Sequence, residues 1–294
     1  MGRVRAGRRR VLLDGLRFPE CPRWHEGAFW FSEIHAHRVV AVDPGGRARV
    51  VAELPTRPSG LGFLPDGTPL VVAMRRPRAL LALRGGAPEL VVDLESLPGD
   101  FLNDMLVDPQ GRAYIGFRSD RLGPDAPVGP EGLVRVDPDG SFEVVAEGLA
   151  GPNGTVLSPD GRVLTVAETH GRRLTSFSVL EDGRLGPPRP FADTGDALPD
   201  GICLDAEGAI WIPAGPEFRR IAAGGGLLER VAVGEGLHAT ACALGGEDRR
   251  TLLMASHVWE PRLGAMVDPT EDLRSPVRGR IEVVEVTVPG AGLP

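Results

Sequence analysis

The chain has 294 residues and a formal net charge of −7, a balance that argues against a nucleic-acid surface. It is 42% hydrophobic, enough for a full core, and its 40 glycines and 28 prolines are spread along the whole length, so it is turn-rich rather than low-complexity. No apolar run reaches the length of a membrane span or of a signal-peptide core, so a cytoplasmic protein with no membrane partner is expected.

The start is basic, with Arg3, Arg5, Arg8, Arg9 and Arg10, and reads as a solvated lead-in to the segment RRRVLLDGL (8–16). From there one sentence recurs. SGLGFLPDGTPLVVAM starts at Ser59, NDMLVDPQGRAYIGF at Asn103, NGTVLSPDGRVLTVAE at Asn153 and DGICLDAEGAIWIPA at Asp200. In all four, a polar opener lies eight residues before a turn glycine: Gly67, Gly111, Gly161 and Gly208. ECPRWHEGAFWFSE fits from Glu20 with one residue fewer, and TACALGGEDRRTLLMAS fits from Thr240 with a longer turn. The six copies recur at intervals of 39 to 50 residues, which means stacked or radial units.

The segments are short, rich in Val, Leu, Trp and Phe, and separated by Asp-Gly turns; none carries a sustained helical period. Each repeat has room for about four strands. In the Asn153 copy these are expected near 154–158, 163–168, 172–180 and 188–192. The pattern predicts an all-β fold, a single six-bladed β-propeller domain over 1–294. The segment 8–16, which belongs to no repeat, is expected to close the last blade beside RGRIEVVEVTV (278–288) and so protect its edge.

In a propeller the first strand of each blade lines the central channel, so a residue opening that strand sits at the channel mouth. Glu20, Ser59, Asn103, Asn153, Asp200 and Thr240 are therefore expected to converge. Two carboxylates and two carboxamides in one funnel need a partner, and a cation supplies it. Oxygen ligands point to calcium first, with magnesium, manganese or zinc as alternatives. The competing reading is a channel filled only by water.

Other candidates are weaker. The histidines form no HExxH pair; His35 and His37 are expected on one strand face, and His238 or His257 to line the pocket. No GxSxG elbow is present. Trp24, Trp30 and Trp211 read as packing residues, with Trp259 in an irregular stretch. Cys21, Cys203 and Cys242 are far apart and read as buried, reduced thiols.

The motifs FPECPRW, NDMLVDPQGRAY, PNGTVLSPDG and PDGICLDAEGAIW together resemble the SMP-30/gluconolactonase/LRE-like family from about residue 11 onward. The resemblance implies that Glu20, Asn153 and Asp200 hold a divalent cation at the top of the propeller. It places Asn103 beside the metal, in contact with water or substrate, and implies hydrolysis of a sugar lactone. Asp200 is the first choice of general base, and Glu20 the second. One departure stands out. Many members carry Arg where this chain has Phe101, so the pocket is expected to be less polar there and a more apolar lactone becomes plausible, with Asp104 left to bind a hydroxyl. The segments 118–132 and 256–277 are expected to cover the mouth. The expected partner is a small-molecule substrate; the oligomeric state is not legible. A related metal-dependent reaction, such as phosphotriester hydrolysis or an isomerase-like step, and a non-catalytic binding propeller are the alternatives.

Overall fold

The computed structural model describes residues 8–120, 129–258 and 278–292. Its strands form six antiparallel sheets of four, which is the predicted propeller. β1 (Arg10–Leu16) comes first in the chain but belongs to the last sheet. The first blade is β2 (Pro19–His25), β3 (Ala28–Glu33), β4 (Arg38–Val42) and β5 (Ala48–Glu53). The second is β6 (Pro58–Phe63), β7 (Pro69–Ala73), β8 (Ala79–Arg84) and β9 (Ala87–Asp93). The third is β10 (Phe101–Val107), β11 (Ala113–Arg118), β12 (Gly132–Val136) and β13 (Phe142–Glu147). The fourth is β14 (Pro152–Leu157), β15 (Val163–Glu168), β16 (Arg173–Ser178) and β17 (Arg189–Asp193), close to the predicted limits. The fifth is β18 (Cys203–Leu204), β19 (Ile210–Ala214), β20 (Glu217–Ile221) and β21 (Leu227–Ala232). The sixth is β22 (Leu237–Gly245), β23 (Thr251–Val258) and β24 (Gly279–Glu285), completed by β1 as its outermost strand.

The turn signature explains how each blade reverses. Gly67, Gly111, Gly161 and Gly208 all have φ between 71° and 84°, a region that costs any residue with a Cβ. The turn aspartate is a second fastener: Asp108 Oδ1 accepts from the Gln110 and Arg112 amides, both at 2.9 Å. Inner and middle strands are buried on both faces, because each blade is sandwiched between two others; β10 and β14 have no exposed position. The fourth strands alternate or are exposed, as in β9 and β13, because they face solvent at the rim.

Ring closure is a side-chain matter as well as a backbone one. Arg10 pairs with Val283 and Leu16 with Gly279, and Leu16 packs in one cluster with Phe29, Phe31, Leu253, Ile281 and Val283. That cluster joins the sixth blade to the first. At the far end of the channel the C-terminal segment crosses from blade to blade. The Ala206 amide donates to the Pro289 carbonyl (2.8 Å), the Gly290 amide to Arg249 (2.9 Å) and the Ala291 amide to Leu204 (3.0 Å).

Two expectations need amending. His35 and His37 do not share a strand face: His35 lies in a 3-10 turn, Ile34–Ala36, and His37 is left-handed at φ 54°, at the corner where β3 turns into β4. Asp200 does not open a regular strand, because β18 begins only at Cys203. Trp259, residues 121–128 of the first long insertion and residues 259–277 of the second lie outside the described residues.

Candidate functional site

Five of the six polar openers, all but Asp200, sit where their strand is bent. The ladder slips between Glu20 and Arg23, Pro58 and Leu61, Leu102 and Met105, Pro152 and Thr155, and Ala239 and Ala241. A bulge adds a residue on one strand and turns it, which re-aims the side chain there. Proline precedes the opener at Pro19, Pro58, Pro152 and Pro199, positions where a missing amide costs the ladder little.

The residue after the opener faces the next inner strand, and often there is no room for a side chain. The Gly154 amide donates to the Asp200 carbonyl at 3.1 Å, and a Cβ on Gly154 would lie 2.5 Å from that oxygen and from the Ile202 nitrogen. The Gly201 amide repeats the bond to Thr240 at 2.9 Å. The Asn103 carboxamide donates to the Pro152 carbonyl at 3.3 Å. Backbone bonds between blades thus set the spacing of Asn153, Asp200 and Thr240, and the Asn103 side chain ties the third blade to the fourth.

Glu20, Asn103 and Asn153 are buried, and Asp200 is half-buried. Glu20 Oε2 accepts from the Cys21 amide at 3.2 Å, while its Oε1 is buried with no hydrogen-bond partner among the described residues. Burial pushes Glu20 well above the usual carboxylate range, and the charge of Asp200 pushes it further, against the Cys21 amide and Thr240. Burial pushes Asp200 up to about 7, opposed by Arg118, supported by Asp104 and opposed again by a hydrogen bond from Asn153. Glu20 is thus disfavoured in its charged form by burial and by Asp200, and Asp200 by burial and by Asp104. Among the described residues no three His, Cys, Asp or Glu side chains converge as ligands. The donors that could hold a cation are therefore two carboxylates, Glu20 and Asp200, with the Asn153 carboxamide, a hard all-oxygen set.

Asp104 is only 2% exposed; Arg23 Nη2 donates to its Oδ1 at 2.8 Å and so does the Met105 amide. This buried pair ties the inner strand of the first blade, β2, to that of the third, β10. Arg23 was not singled out in the sequence, where it looked like one more strand residue. The signal was its place three after Glu20 on an inner strand, where a buried guanidinium needs a carboxylate.

Phe101 is 3% exposed and packs with Ile34 and Met74. Two guanidiniums lie on its ring, Arg75 at 4.6 Å and Arg118 at 5.5 Å from the centroid. This corner presents guanidinium rather than a bare apolar wall. On the blade six side, His238 and His257 are cross-strand partners. His257 lies 4.8 Å from the Phe18 ring, and burial brings it down to about 4, with His238 and His35 adding to the shift, so its imidazole is neutral at neutral pH.

Residues 18–258 match the model of the SMP-30/Gluconolactonase/LRE-like region. The chain belongs to that family. Over 286 residues it is 29% identical to a 6-deoxy-6-sulfogluconolactonase of Pseudomonas putida, covering 94% of this chain and 93% of that protein. Among solved structures it is similar to the calcium-binding protein regucalcin of Agrobacterium tumefaciens, at 25% identity over the whole of both chains, with a TM-score of 0.75. A luciferin-regenerating enzyme shares the fold at 20% identity, 97% coverage of each chain and a TM-score of 0.79.

Proposed function

We propose that this family member hydrolyses a lactone at the channel mouth, using a divalent cation held by Glu20, Asn153 and Asp200. The observation that carries the reading is the buried Glu20 Oε1, which has no hydrogen-bond partner among the described residues and stands in the field of a second carboxylate, Asp200. A cation satisfies both at once. The lactonase among the relatives supports the reaction class, and the regucalcin likeness supports calcium as the first candidate.

When bound, such a cation supplies Lewis-acid polarisation of the lactone carbonyl. The chain's residues do the rest. Asn103, whose amide nitrogen is committed to Pro152, keeps its carbonyl oxygen for substrate or water. Asp200, the first choice of general base, takes the proton of the attacking water, with Glu20 as the second. The acyl C–O bond of the ring then breaks, and the leaving alkoxide picks up a proton to give the open hydroxy acid. Arg23 and Asp104 neutralise each other below, which keeps the channel floor from competing for the cation.

The test is gluconolactone hydrolysis followed by proton release, with calcium or with a chelator, in wild type, Glu20→Gln and Asp200→Asn. Activity should require the cation and fall by roughly a hundredfold or more in either variant. Undiminished hydrolysis in chelator or in Glu20→Gln would overturn the assignment.

A further inference from the structure

Cys203 and Cys242 are 39 residues apart in the chain and meet between the inner strands of blades five and six. Both are free thiols. Cys203 Sγ donates to Cys242 Sγ at 3.4 Å, and Cys242 Sγ faces the carbonyls of Trp211 at 3.6 Å and Gly201 at 3.7 Å. The two backbones run close together as well. Beside the Gly201 bond to Thr240, a Cβ on Gly201 would lie 2.3 Å from the Ala241 Cβ and 2.9 Å from its Cα. Two strands that approach in this way, with their sulfurs in contact, are within the reach of a disulfide. Cys21 stands apart, its sulfur 4.0 Å from Ser59 Oγ.

The pair has both a way in and a strand to hold. At the far end of the channel, under the C-terminal crossing, a recess of about 40 Å³ is walled by Arg23, Leu106, Cys203, Cys242 and Gly290 among others. That is room for roughly two or three water-sized molecules, hence for hydrogen peroxide, and too little for a tripeptide such as glutathione. Cys203 is 9% exposed and Cys242 1%, so Cys203 is the sulfur that meets an incoming oxidant. The strand to hold is β18, two residues long where the other inner strands have six to nine. It pairs with β19 at two positions, Cys203 with Trp211 and Leu204 with Ile210.

We propose that Cys203 and Cys242 are an oxidative modification site, a dithiol that hydrogen peroxide converts to a disulfide stapling the inner strand of blade five to that of blade six. The proposal is independent of the lactonase reading. In the first step the Cys203 sulfur attacks the peroxide: an S–O bond forms, the O–O bond breaks, and the departing hydroxide takes the thiol proton to leave as water. In the second, the Cys242 sulfur attacks the Cys203 sulfenic acid: the S–S bond forms, the S–O bond breaks, and the hydroxide leaves with the Cys242 proton as a second water. Two sulfurs are oxidised and one peroxide is reduced. Burial, and next the bond to Cys242, hold the Cys203 thiol well above its ordinary range, so little thiolate is present at neutral pH and the staple forms slowly.

The experiment treats the native protein with hydrogen peroxide at neutral pH, blocks the remaining thiols in denaturant and maps the digest without reductant. The expected result is one cross-link, between the peptide holding Cys203 and that holding Cys242, with the free-thiol count falling from three to one and Cys21 still open to alkylation. Oxidised glutathione in place of peroxide should leave all three thiols. The melting temperature should rise by about 5 °C on oxidation, the effect of closing a 39-residue loop in a chain of this size, and Cys242→Ser should show neither link nor rise. The wild-type map carries the test should that variant not fold. Three thiols surviving a day in peroxide, sulfinic acid on unlinked cysteines, or a link through Cys21 or between two chains would each overturn the proposal. So would a link that forms as readily with oxidised glutathione, or one that leaves the melting temperature unchanged.

Discussion

Thr169 holds Asn153 by its amide nitrogen: Asn153 Nδ2 donates to Thr169 Oγ1 at 3.1 Å, and Thr169 Oγ1 donates onward to the Pro199 carbonyl at 2.8 Å. Asn153 also acts on Asp200, lowering it. With the amide nitrogen turned to these neighbours, the carboxamide oxygen is the atom offered to the cation proposed above. Thr169→Val keeps the branched shape and removes the hydroxyl. Partners behind a ligand typically matter by ten- to a hundredfold, so calcium affinity by titration calorimetry should weaken about tenfold, and Thr169→Ser should restore it. An unaltered affinity in Thr169→Val would show that Asn153 is oriented by something else.

Gly154 tests the spacing of blades four and five. A methyl group there meets the Asp200 carbonyl and the Ile202 nitrogen, both backbone atoms that cannot swing aside. Gly154→Ala should cost about 1–3 kcal/mol in denaturant unfolding, the usual penalty of overpacking. It should also weaken cation binding, because the strain falls on Asp200 itself. Loss of stability with intact affinity would mean that the ring relaxes elsewhere.

The carboxylate pair makes a pH prediction whose sign is fixed. Asp200 is raised from 3.8 to about 7 by burial, and Glu20 is raised too, so the folded chain binds these protons more tightly than the unfolded one. Their contribution is fully present below the unfolded values near 4 and is lost as pH rises through about 7. A cation prefers the ionised pair and works in the opposite direction. In chelator, melting temperature should fall across that window; with saturating calcium the difference between the two curves should widen with pH. The turn aspartates Asp66, Asp139 and Asp160 are lowered by their own turn hydrogen bonds, so their effect belongs to more acid solution. Glu20→Gln with Asp200→Asn should flatten the chelator curve; if it keeps its slope, other groups are responsible.

Leu16 tests ring closure. It is 7% exposed and meets Phe29, Ile281 and Val283 where the last blade joins the first. Leu16→Ala should cost about 2–4 kcal/mol, as for other buried leucines, measured by chemical denaturation. Leu13→Ala, a half-buried change on the same strand, should cost less. Equal small losses would show a strand that adds edge protection without joining the blades.

Much of this was legible because a propeller repeats its instructions. Six polar openers, their turn glycines and an orphan first segment were enough for blade number, inner-strand identity and closure. What could not be read was lateral. Phe101 looked like an apolar wall because the sequence shows a side chain and not what lies on it; Arg75 and Arg118 come from the corners of two different blades. Thr169 is sixteen residues from Asn153 in an unremarkable Glu-Thr-His corner, and only the pairing of β14 with β15 brings it within reach. The Asp104–Arg23 pair joins residues 81 apart, a distance over which no spacing rule operates. Periodicity reports what each strand does along its own length, whereas the site is made across strands.

The pairing of β1 with β24 also sets a timetable. The Arg280–Asp14 ion pair spans 266 positions, so β1 meets its partner only after the five blades between them have been made. Until then Leu12, Leu13 and Leu16 have no sheet to cover them, and the first and last blades of the growing arc each show a bare apolar face. Long-range pairings of this kind form late and leave such surfaces exposed to other chains meanwhile. A stall during synthesis of the last blade would strand an arc of five finished blades, open at both ends and ready to stick to its neighbours.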